Sequence, residues 1–143
     1  MANVIIYTNS NGGVSICIPT GEVSLEVVQT KDTPTGSIIV DDSTLPQGSD
    51  AQFFDSWVLN GSTVTVDQSK ALAQATTQLN QLAYTEASHR SSKLGAGLNN
   101  VLSDSDWANL LTTARTALSS ATTTQALLDA IAPIQTAITA NAL

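Results

Sequence analysis

Apolar positions follow two different periods along this chain, and the change falls near Asp67. Before it, β-branched residues come in short runs; after it, apolar residues recur every three or four positions. Val4-Ile5-Ile6-Tyr7 and Val14-Ser15-Ile16-Cys17-Ile18 are the first two runs. Asn9-Ser10-Asn11-Gly12-Gly13 between them supplies residues that tolerate positive φ, so the pair predicts a hairpin. Pro19 ends the second strand. Leu25 and Val28, three apart after Thr20 or Ser24 as cap, predict a short helix that stops before Pro34. Ser37 to Asp41 reads as a third strand, followed by the Leu45-Pro46-Gln47-Gly48 loop. Phe53 to Trp57 then forms one helical turn or an extended entry. Two further strands, Trp57–Leu59 and Thr63–Val66, are joined at Asn60-Gly61.

From Gln68 the period is helical. Leu72, Ala75, Leu79, Leu82 and Glu86 mark one face of a long helix running to about Lys93, with Asp67 as its cap. Gly95-Ala96-Gly97 breaks it. Asp104 or Ser105 can cap a second helix bearing Trp107, Leu110, Leu111, Ala114 and Leu118, with Trp107 packing on the aromatic cluster or under the sheet. Thr122-Thr123-Thr124 links to a third helix with Leu127, Leu128 and Ile131, which meets Pro133 and is expected to kink before Ile134 and Ile138. The fold class is therefore α+β. A small N-terminal antiparallel β module (1–67) precedes a C-terminal helical region (68–143), either a helical hairpin or a three-helix segment.

Composition changes this picture in one respect. Of the 143 residues 42% are hydrophobic but only 4% aromatic, much of the remainder being Ala, so the helical faces are thin. Burial is worth roughly 25 cal/mol per Å² of apolar surface, which favours association with further copies or with partners to supply more of it. The net charge of −7 is carried entirely by the first 67 residues, where Glu22, Glu26, Asp32, Asp41, Asp42, Asp50, Asp55 and Asp67 face Lys31 alone. That balance argues against a binder of nucleic acid, which needs a basic patch. Met1-Ala2-Asn3 does not open a signal peptide and no run of 18 apolar residues occurs, so a membrane role is not expected and synthesis in the cytoplasm is. Cys17, the only cysteine, reads as a buried small side chain on a strand.

Candidate chemistry is sparse. His89 is the only histidine, late on the long helix, where an imidazolium suits the helix dipole better than catalysis. One Cys and one His cannot build a zinc site. Asp41-Asp42 and Asp104-Ser105-Asp106 have carboxylate spacing for a hard cation but lack the remaining ligands of a calcium loop, and capping is the better reading. Gly95-Ala96-Gly97 follows a helix rather than a strand, which excludes a dinucleotide fingerprint. The expectation is a non-enzyme with no cofactor. Phe53, Phe54 and Trp57 fall within five residues beside Leu45 and Pro46: anchors and rim of a protein interface, or the main core of the β module.

The succession Ile5-Ile6-Tyr7-Thr8-Asn9, Gly12-Gly13-Val14-Ser15-Ile16, Pro19, Leu25-Glu26-Val27-Val28, Lys31-Asp32, Pro34, Ile39-Val40-Asp41-Asp42, Leu45-Pro46 and Phe53-Phe54-Asp55-Ser56-Trp57 resembles a family of small tailed-bacteriophage proteins encoded among virion structural genes. The resemblance covers about the first 70 residues. It implies a virion structural or accessory protein of the tail, tail fibre or neck, bound to other phage structural proteins as a homo-oligomer or part of a larger assembly. A tail-fibre assembly chaperone absent from the finished particle is the alternative. An acidic inhibitor of a basic host protein is the third possibility, suggested by the charge.

Overall fold

A computed structural model of the chain describes residues 2–97 and 102–140; the remainder of the expected helical region, including its last three residues, lies outside the described residues. The molecule is α+β: a small N-terminal antiparallel sheet is followed by three C-terminal helices. It divides into two compact units, 1–70 and 71–143, with the boundary just inside the first long helix.

In the first unit β1 (Asn3–Thr8) pairs antiparallel with β2 (Val14–Cys17) on one side and with β3 (Ile38–Asp41) on the other. Asn9 holds the β1–β2 loop shut. Its Oδ1 accepts from the backbone N–H of Asn11 and of Gly13, while its own N–H donates to the Gly13 carbonyl. Gly12 takes φ +82°, which a residue with a Cβ rarely adopts. Helix α1 (Leu25–Asp32) starts at Ser24 and ends before Pro34, and it packs on β1 and β3. Val4 and Ile6 on one face of β1 join Val14, Leu45, Trp57 and Val64 in a continuous core, and Ile5 on the opposite face is also fully buried.

The second hairpin, β4 (Trp57–Asn60) with β5 (Thr63–Val66), contributes Trp57 and Val64 to that core. Its pairing of Asn60 with Thr63 makes Gly61 and Ser62 the two turn residues, one place later than Asn60-Gly61. Gly61 has φ +62° and the following serine a negative φ, the arrangement in which glycine takes the first turn position. The segment before β4 is also longer than one turn. Two 3-10 pieces run from Gly48 to Ser56 and meet at a non-helical Phe53.

In the second unit α2 (Gln68–Gly95), α3 (Asp104–Ser120) and α4 (Thr124–Ala140) supply Leu79, Trp107, Leu118, Leu127, Ile131 and Ile134 to a core that also includes Ala71, Ala75, Ala114 and Ala130. The alanines are real core positions, but fully buried Leu and Ile side chains carry most of the apolar area. Asp67 caps α2 by accepting from Ser69 and Lys70 N–H. Ser103, not Asp104 or Ser105, caps α3: its hydroxyl accepts from Asp106 N–H. α4 is one continuous helix through Pro133.

Candidate interaction surface

The aromatic cluster contributes core before surface. Phe53 (1% exposed), Trp57 and Leu45 are buried in the first unit, and the Trp57 indole N–H donates to the Asp50 carbonyl at 2.9 Å. Burial places Phe53 and Trp57, expected as anchors or as core, and Leu45, expected as rim, within the core of the β module, where their apolar area closes that module and is not on its surface. Phe54 is 40% exposed and tilts against Trp57 at a centroid distance of 4.9 Å, while Pro46 is half-buried. Only Phe54 and Pro46 of the five present accessible surface. One residue in the 3-10 segment thus points inward and its neighbour outward, a distinction that the adjacent Phe-Phe pair in the sequence does not reveal.

Other large apolar side chains are at least as exposed. Ile18 (75%), Val23 (54%) and Val27 (40%) all lie between the end of β2 and the first turn of α1, a stretch that also bears the exposed Glu22 and Glu26. On the helical unit Tyr84 and Leu94 of α2 are exposed. Tyr84 borders a shallow depression shared with Thr77, Asn80, Gln81 and Thr85, all uncharged. Spacing in the sequence does not single out this stretch: Ile18 continues the alternation of Val14 and Ile16, and Val27 falls within the predicted short helix.

Several titratable residues serve the architecture. The Asp41 carboxylate accepts the Ser43 N–H at 2.9 Å, and that hydrogen bond is the main cause of a pKa below the ordinary 3.8. Asp42 bonds the Ala2 backbone in both directions. Glu86 is buried on α2, with His89 Nδ1 at 3.7 Å and Lys93 Nζ at 3.9 Å. Arg90, also buried, donates from Nη1 to the Leu102 carbonyl and from Nη2 to Asp104, each at 2.6 Å. Its guanidinium lies 5.9 Å from the Trp107 ring centroid, so Trp107 has its cationic neighbour inside the helical unit. His89 itself is exposed. Cys17 is half-buried on β2. Among the described residues no group of three or more His, Cys, Asp or Glu is placed to hold a metal ion, and no helix is long and apolar enough to cross a membrane.

What this arrangement offers chemically is apolar contact area bordered by carboxylates. No family model matches the chain, and no curated protein or solved structure is significantly similar to it.

Proposed function

We propose that this chain is a structural or accessory protein of a tailed-bacteriophage particle, associated with the tail, tail fibre or neck and acting by protein–protein binding. The observation that carries the binding role is the set of large apolar side chains left on the surface, Ile18, Val23, Val27, Phe54, Tyr84 and Leu94. Apolar area gathered on a surface is the raw material of interfaces, and Ile18, Val23 and Val27 are exposed within ten residues of chain. The resemblance of the first 70 residues to small virion-associated proteins supplies the setting, with other particle proteins or further copies of the chain as partners.

A phage whose gene for the chain carries an amber codon tests the assignment. In a non-suppressing host, particles lacking a tail, fibre or neck part by electron microscopy are expected, with restoration when the chain is supplied in trans. Complete, infective particles would overturn it. A tail-fibre assembly chaperone would give the same defect, and differs in being absent from finished particles. The acidity of the first unit favours the third reading, an inhibitor of a basic host protein; that reading requires intact particles from the amber mutant and a host target instead.

A further inference from the structure

We infer that the stretch Ile18–Val27 is a docking surface for a segment of a different protein that is both apolar and basic, a conclusion that rests on the proposed binding role and specifies its partner. Ile18 follows β2, which lies at the edge of the three-stranded sheet; Val23 precedes the Ser24 cap; Val27 stands in the first turn of α1. All three are exposed within ten residues of chain. Fully burying a side chain of this size is worth roughly 1.5–3 kcal/mol, so a partner that covers them gains substantially. Glu22 and Glu26 are interleaved with them and exposed, so the covering segment also needs positive charge.

A second copy of this chain meets that need poorly. Through residue 70 its cations are Lys31 and Lys70, against eight carboxylates. Farther on, Arg90 is buried against Asp104 and the largely buried Lys93 is beside Glu86, which leaves Lys31, Lys70 and Arg115 as the exposed cations of a chain with net charge −7. Two copies docked through this stretch would set Glu22 and Glu26 against their own like. Charge therefore directs the surface to a heterologous protein, and the same carboxylates repel an anionic lipid surface.

The test places the photo-crosslinker p-benzoylphenylalanine at Val23 of the full chain during infection by the phage that encodes it, with the same residue at Tyr84 as a second probe. The Val23 adduct is expected to be predominantly one peptide of another protein, rich in Lys or Arg among apolar residues. Glu22→Lys with Glu26→Lys should lower its yield about tenfold or more, as should Val23→Ser with Val27→Ser when the probe is moved to Ile18. Unchanged melting temperatures for these surface variants would separate lost docking from lost folding. An adduct to another copy of this chain, to lipid or to an acidic segment would overturn the inference. So would the absence of an adduct from Val23 while Tyr84 yields one, a result that leaves the binding role intact. A basic host protein in the Val23 adduct, with no particle protein captured at either position, would keep the docking surface and overturn the particle role.

Discussion

Arg90 leaves the buried face of α2 to bond the Leu102 carbonyl and Asp104, and in doing so ties the start of α3 to the long helix. Its partners differ in burial: Arg90 is enclosed, whereas the Asp104 side chain is in water. An ion pair with one exposed member is screened, so the carbonyl bond and the contact with the Trp107 ring should dominate. Arg90→Ala is expected to lower unfolding free energy by about 2 kcal/mol in denaturant titration, and Asp104→Ala to do much less. Equal effects would mean that the ion pair is the main contribution. Asp41 makes a pH prediction. Its native pKa is depressed by the Ser43 N–H, so its stabilisation is present above the ordinary 3.8 and is lost as pH falls through the lower native value. Melting curves of Asp41→Asn should accordingly lose stability less steeply than the parent in that acidic window. Asp41 was legible in the sequence as a capping residue. Arg90 was not, because arginine is usually exposed, although it falls on the helical face of Ala75, Leu79 and Glu86.

At the scale of elements, the periods and turn residues disclosed nearly every strand and helix, and the errors concern local choices between similar residues. Ser103, Asp104 and Ser105 can all accept from a helix N–H, and only the backbone path selects Ser103. The face of α2 turns slightly, with Ala71 fully buried and Leu72 half-buried, because a long helix meets its neighbours at positions that spacing alone leaves open. α4 shows the opposite case: strong apolar spacing through Leu127, Ala130, Ile131 and Ile134 keeps the helix continuous across a proline that has no N–H to donate. Pro133→Ala should restore that donor and raise the denaturant midpoint, by up to about 3 kcal/mol in unfolding free energy. A fall would mean that the proline ring is needed for packing. Trp57→Ala removes a buried ring and its bond to Asp50, and about 3–5 kcal/mol of stability should go with it. Phe54→Ala, at a partly exposed ring, should cost far less; the contrast between adjacent aromatics checks the division into core and surface.

For the whole molecule, the order β2-β1-β3 and the placing of the second hairpin against the same core could not be read from local patterns, since they depend on which distant strands bury each other's faces. The sequence did disclose a change of architecture near residue 67, an acidic first unit and the capping roles of Asp41 and Asp67. It did not locate the exposed 18–27 stretch, because an apolar residue in a loop can be covered or open and only the fold decides. The proposed role makes the chain a stoichiometric part of a phage particle, held there by protein contacts. Quantitative mass spectrometry of gradient-purified particles tests it most directly. The chain is expected at a fixed ratio to known structural proteins across independent preparations, retained through washing. Its absence from particles, with abundant chain in the infected cell, would contradict the claim and leave assembly chaperone or host-directed inhibitor as the remaining roles.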